Sequence, residues 1–191
     1  MVGRWRAAWS STIARRRPST STTTCTASKP REGRPGRRRT DREPTKGAIM
    51  ASGASNAQLF CDLLDEKEIK YQTNDLQDGD VLVQMSWNAE NAPTIEIYVI
   101  LDGDGESCAI RALPQVRVPE NKLEGVWSLA NSLNARFRWA RFYTDSDNDV
   151  VLQCDAVLTE TTAADVCFEL SLRLLNIADE AYPDMMKQLW A

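Results

Sequence analysis

The chain has 191 residues, a formal net charge of −4 and no histidine. Without histidine the commonest general base is missing, and with it the serine and cysteine triads and most zinc and iron sites. The net charge hides two opposed parts: residues 1–49 hold 13 Lys+Arg against 3 Asp+Glu, a net of +10, and residues 50–191 hold the remaining 10 and 24, a net of −14.

Residues 1–49 are rich in Arg, Ser, Thr, Pro and Gly and nearly free of large apolar side chains. Such a segment cannot bury enough surface to offset its ordering entropy, so it reads as a disordered basic tail. A basic arm for nucleic acid and an Arg-rich transit peptide are two readings of it. The third, which we adopt, is an over-extended start: Met50 opens MASGASNAQLF at the abrupt change of composition, just ahead of the first helix. Residues 50–191 are then the folded domain, long enough to bury a core without disulfides or metal.

Ser55 can cap the first helix, with Gln58 completing a capping box. Leu59, Phe60, Leu63 and Leu64 carry helical spacing to about Lys70. Tyr71 to Asp80 reads as a connector. Val81 to Trp87 is a strand, as is Thr94 to Leu101, where Ile95, Ile97, Val99 and Leu101 alternate against Glu96 and Tyr98. Asp102-Gly-Asp-Gly105 is a hairpin signal, and Glu106 to Leu113 returns as a third strand. Pro119 suits the first turn of a second helix running to about Asn134, with Val126, Trp127, Ala130 and Leu133 on one face. Asn131 and Asn134 sit where a short polar side chain can bond free backbone groups.

Phe137 to Thr144 then alternates as a fourth strand, and Val150 to Leu158 as a fifth. A four-residue loop between Thr144 and Asp149 would set Arg138 opposite Asp155, and Phe137, Trp139 and Tyr143 opposite Ala156, Cys154 and Val150. Thr162 with Asp165 starts the last helix, which is apolar on two faces and therefore buried on two sides or joined to a partner. Pro183 is expected to interrupt it before Met185, Met186, Leu189 and Trp190. The order α-β-β-β-α-β-β-α implies an α+β fold, a five-stranded antiparallel sheet with helices on one face. There is no βαβ alternation and no glycine-rich phosphate loop.

The stretch Ser128-Leu-Ala-Asn-Ser-Leu-Asn134, the aromatic run Arg138-Trp-Ala-Arg-Phe142, the acidic turn Asp145-Ser-Asp-Asn-Asp149 and a Leu-rich last helix ending in Ala181-Tyr-Pro183 resemble the YbjN family. The resemblance spans about Asn56 to Ala191. That family is described as bacterial sensory transduction regulators of no established activity, similar in fold to type III secretion chaperones. It implies a cytoplasmic bacterial protein with a protein-binding role. It supplies no catalytic motif, so no functional residue is carried over, and it removes the transit-peptide reading of the tail.

Asp145, Asp147 and Asp149 have the first spacings of a calcium loop, but Val150 stands where Gly is needed and Ala156 where Glu is needed. Asp102, Asp104 and Glu106 offer the same imitation, so both read as solvated turns. The five cysteines show no CxxC spacing, and four lie in apolar runs, where they read as inert core thiols in a reducing compartment. No catalytic, cofactor or metal residue is nominated, and no apolar run is long enough to span a bilayer. Trp87, Trp127, Trp139 and Trp190 stand at core-like spacing.

What is left is the sheet face away from the helices, with Gln84, Glu96, Tyr98, Arg138, Phe142, Gln153 and Asp155 as the candidate partner-binding residues and Ser86 and Ile100 among them. A mixed face of this kind can meet water or hold a partner segment. The expected function is a non-enzymatic protein-binding domain, chaperone-like or a regulatory adaptor; the alternative is a small-ligand or cation sensor using the acidic turns. A homodimer through the last helix is a further expectation, and nucleic acid is not an expected partner of so acidic a domain.

Overall fold

A computed structural model describes residues 52–114 and 116–190, and what was expected of residues 1–49 lies outside them. The first helix, α1, is Gly53–Glu66. Its cap is Ser52 rather than Ser55: the Ser52 Oγ accepts the Ser55 N–H at 3.2 Å, and Gln58 reaches Asp62 at 2.7 Å instead of closing a box.

The strands that follow are β1 (Tyr71–Asp75), β2 (Val81–Trp87), β3 (Ile95–Leu101) and β4 (Ser107–Leu113). Helix α2 (Leu123–Arg136) comes next, then β5 (Arg141–Thr144), β6 (Val150–Val157) and helix α3 (Ala163–Trp190). The sheet is antiparallel throughout, with strand order β1-β2-β3-β4-β6-β5.

The sheet therefore has six strands, not five. The extra one is β1, expected as a connector. Apart from Tyr71, which packs against the core, its residues are polar, as suits an edge strand, and hydrophobic alternation cannot reveal such a strand.

Alternate residues of the central strands build one core with the helices. Val83, Met85, Ile97, Val99, Ile110 and Leu152 meet Phe60 and Leu64 of α1, Val126 and Leu133 of α2, and Cys167, Leu174 and Met185 of α3. Helix α3 buries a continuous stripe from Ala163 to Met185, with Phe168, Leu175, Tyr182 and Leu189 packed at its flanks. That explains its two apolar faces. It also runs unbroken through Pro183, contrary to expectation. The proline is exposed, and Ala181 and Met185 anchor the helix to the core on either side of it.

Strand β5 is shorter than expected, and its register differs by one residue. Phe137 belongs to the end of α2, where its N–H donates to Leu133 O at 2.8 Å, and Trp139 turns the chain at φ 73°. The Asn134 side chain then pairs with Phe142 in the manner of a neighbouring strand. Its Oδ1 accepts the Phe142 N–H at 2.6 Å, and its Nδ2 donates to Phe142 O at 3.1 Å. The hairpin that follows holds three residues, not four. Asp145 and Asp149 pair across it, and Asn148 takes the left-handed position at φ 63° that such a loop requires.

The pairs are consequently Arg141 with Gln153, Phe142 with Leu152, Tyr143 with Val151 and Thr144 with Val150. A slip of one residue exchanges the faces. Phe142, 3% exposed, lies in the core, and Tyr143 and Arg141 point the other way.

The loop between β2 and β3 is held down by one carboxylate. Asp179 of α3 accepts backbone N–H groups of Glu90, Asn91 and Ala92 at 3.3, 2.7 and 2.9 Å, and the Asn91 side chain at 3.1 Å. Its slight burial would raise its pKa, but the donors outweigh that and hold the carboxyl below its ordinary 3.8. A depressed carboxyl contributes stability above its unfolded pKa and loses it as pH falls through the folded one. Asp179→Ala is expected to cost about 1 kcal/mol near neutrality, after allowance for its exposure. In urea melts the two proteins should converge as the pH falls below about 3.8.

Candidate functional site

The helices and the core lie on one face of the sheet. Ile100, Leu113 and Val151 are buried too, at 3%, 7% and 4% exposure, yet they stand apart from that core because they belong to the opposite face. They are separate apolar points there: Leu113 opposes Glu96 and Ile100 opposes Ala109, on either side of Tyr98 and Arg111.

The register places a polar row across all six strands of this face. Gln72 opposes Gln84, Gln84 opposes Tyr98, Tyr98 opposes Arg111, Arg111 opposes Gln153, and Gln153 opposes Arg141. At one end Gln84 Nε2 donates to the Tyr98 hydroxyl at 3.4 Å, and that hydroxyl donates to the Glu96 carboxylate. Burial, and then the bond to Glu96, hold the Tyr98 phenol protonated well above its usual range. Tyr98 is therefore a fixed donor rather than a base.

At the other end the Tyr143 hydroxyl donates to Gln153 Oε1 at 2.9 Å, and Gln153 Nε2 donates to Asp155 at 2.7 Å. Arg141 approaches the same carboxylate at 3.4 Å, half exposed, so this pair contributes little by itself. Burial pushes the Tyr143 phenol up, and the nearby Arg111 guanidinium pulls the other way. Arg111 thus sits between the two clusters.

Of the seven candidates, Gln84, Glu96, Tyr98, Gln153 and Asp155 lie on this face. Phe142 does not, because the register turns it into the core. Arg138 does not either: it lies outside β5, exposed, with its guanidinium 5.6 Å from the Trp139 ring centre. Arg141 takes the place assigned to Arg138 opposite the acidic end. Four residues were missed, Gln72 among them because β1 was not expected as a strand. Arg111 follows from alternation along β4, while Arg141 and Tyr143 follow only once the hairpin is known to hold three residues.

The tryptophans are not the core their spacing suggests. Trp127, Trp139 and Trp190 are exposed at 55%, 59% and 85%, and Trp87 packs half-buried against the core. Trp127 donates its indole N–H to Thr144 Oγ1 at 2.9 Å. The guanidinium groups of Arg138 and Arg173 stand 5.6 and 5.3 Å from the Trp139 ring centre.

The acidic turns serve the backbone. One Asp145 carboxylate oxygen accepts the N–H groups of both Asp147 and Asp149 at 2.9 Å, which closes the hairpin. Among the described residues no three His, Cys, Asp or Glu side chains gather as a metal site. Cys61, Cys108, Cys154 and Cys167 are buried free thiols, and burial pushes the Cys154 thiol up to about 12. The face offers donors, acceptors and apolar contact across several strands. That suits binding.

Residues 56–182 match the model of the YbjN family, whose description is "Putative bacterial sensory transduction regulator". A chain from the crystal structure of the ExsC-ExsE complex is similar at 16% identity and a TM-score of 0.41, covering 69% of this chain and 93% of that one. Comparison with curated proteins gives no match. Among the described residues no helix is long and apolar enough to cross a membrane.

Proposed function

The chain belongs to the YbjN family, and from that premise we propose that it is a non-enzymatic, chaperone-like or regulatory adaptor whose open sheet face receives a segment of a partner protein. One observation carries this reading. A row of hydrogen-bonding side chains crosses six strands on the face opposite the helices, with the buried apolar side chains of Leu113 and Val151 on one side of it and Ile100 on the other. A segment lying across such a face can hydrogen-bond the row and set apolar side chains against Ile100, Leu113 and Val151.

The named charges of the face balance, Arg111 and Arg141 against Glu96 and Asp155. Net charge therefore does not select the partner; shape and hydrogen bonding do. The −14 charge of residues 50–191 repels nucleic acid. The buried free thiols accord with a reducing compartment, and we assign the protein to the cytoplasm.

The test is capture of partners from the source lysate by the full chain, compared with a Tyr98→Ala/Arg111→Ala variant. Removing an aromatic and an arginine from the centre of the face should cut capture at least about tenfold. Far-ultraviolet circular dichroism should stay unchanged, because neither side chain belongs to the core. Undiminished capture by a folded variant would overturn the assignment of this face.

A further inference from the structure

Cysteines that look unrelated in the chain converge in the fold. Cys108 is the second residue of β4 and faces the core; Cys167 lies in the second turn of α3. Their sulfurs are 3.8 Å apart, across 59 residues of chain, and the two residues are 2% and 0% exposed. Cys154 sits on the same sheet face, one strand over. We propose that Cys108 and Cys167 are a latent redox pair, which a peroxide joins into a disulfide that staples α3 to the sheet.

The geometry favours this pair over the others. A disulfide holds its sulfurs at about 2.05 Å. From 3.8 Å that leaves about 1.8 Å to close, shared between two side chains that each rotate about χ1. Among the described residues no three ligating side chains gather as a metal site. In the closed protein the pair is protected. The Cys167 thiol beside it, and then burial, push the Cys108 thiol far up and keep it protonated.

Reaction therefore waits on opening at the start of α3. That end is held by the exposed turn Thr159–Thr162, through the Ala163 N–H to Thr159 O at 2.9 Å and threonine hydroxyl contacts. Once open, one thiolate attacks hydrogen peroxide. The O–O bond breaks, the sulfur is oxidised to a sulfenic acid, and hydroxide leaves to take up a proton as water. The second thiol attacks that sulfur, the S–S bond forms, and a second water leaves. Two thiols and one peroxide give one disulfide and two waters.

The cross-link removes loop entropy from the unfolded chain, so the oxidised protein should melt about 10 °C higher. The test treats the full, reduced chain with hydrogen peroxide in two ways: folded, and through a cycle of urea unfolding and refolding, which removes the barrier of access. Non-reducing peptide mapping should find Cys108 joined to Cys167, with a loss of two hydrogens, after the cycle and more slowly in the folded protein. Cys61→Ser should leave the link and the melting shift intact, and Cys167→Ala should abolish both. A dominant link to Cys25, Cys61 or Cys154, sulfinic acids without a link, or a Cys108–Cys167 link that lowers the melting point would each overturn the proposal. The mapping in Cys61→Ser keeps it falsifiable even where Cys167→Ala does not fold.

Discussion

Replacing Phe142 with alanine is expected to destabilise the protein by about 3 kcal/mol, whereas replacing Tyr143 is expected to cost under about 1 kcal/mol. The two residues are neighbours on an edge strand, and both are aromatic. Their difference rests wholly on register. Phe142 opposes Leu152, is 3% exposed and meets Phe137 with ring centres 6.2 Å apart. Its removal leaves a cavity that an anchored strand cannot close, because the Asn134 side chain holds the Phe142 backbone at both N–H and C=O. Tyr143 opposes Val151 on the open face and loses one hydrogen bond, to Gln153. Thermal melts should show Phe142→Ala lower by roughly 10 °C. A larger loss at Tyr143 would mean that the hairpin holds four residues and that the faces are exchanged.

Gly103→Ala is expected to cost about 2 kcal/mol or more, and to exceed the cost of Gly105→Ala. The two glycines share one hairpin and serve different needs. Gly105 has φ 75°, so an alanine there strains the backbone by about 1 kcal/mol. Gly103 is needed for space. A Cβ there would stand 2.4 Å from Asp78 O and 3.0 Å from Gly79 C, both backbone atoms.

Nothing in that contact can swing aside, because three turns interlock. The Gly103 N–H donates to Asp80 Oδ1 at 2.8 Å, and the Gly53 N–H donates to Gly103 O at 3.2 Å. Asn56 of α1 reaches Gly105 O at 2.8 Å. Separating them loosens the start of α1 from the hairpin. Urea titrations of the two variants measure the difference, and equal midpoints would contradict the close approach.

The chain shows its central elements because they obey period-2 and period-3.6 alternation against one core. Ile95, Ile97, Val99 and Leu101 could only be a strand with a buried face, and Leu170, Leu174 and Ile177 could only be a helix. The features that hydrophobicity does not mark are different. Strand β1 is polar apart from Tyr71, as suits an edge, so alternation does not distinguish Tyr71–Asp75 from a loop. Phe137 to Ala140 alternates as a strand does, but the Asn134 amide occupies the pairing position and Trp139 turns the chain.

The candidate face shared that fate. Gln84, Glu96, Tyr98, Gln153 and Asp155 were legible from alternation alone. Arg138 was misplaced because the chain turns at Trp139 before β5 begins, and Phe142 by a hairpin loop one residue too long. Arg141 and Tyr143 took their side of the sheet for the same reason. Asn148 at φ 63° was the deciding residue, since asparagine tolerates that position and the sequence offers both loop lengths.

The most direct measurement is photo-crosslinking from defined positions of the full chain in the source lysate. Gln72 and Ser86 are exposed on the open face, and Trp127 and Trp190 are exposed on the helix side. A photoreactive residue placed at each in turn reports which surface a partner touches. The account predicts a discrete partner adduct from Gln72 and Ser86, lost on adding Tyr98→Ala and Arg111→Ala, and none from Trp127 or Trp190. Adducts from the two tryptophan positions alone would place the partner on the helices and contradict it.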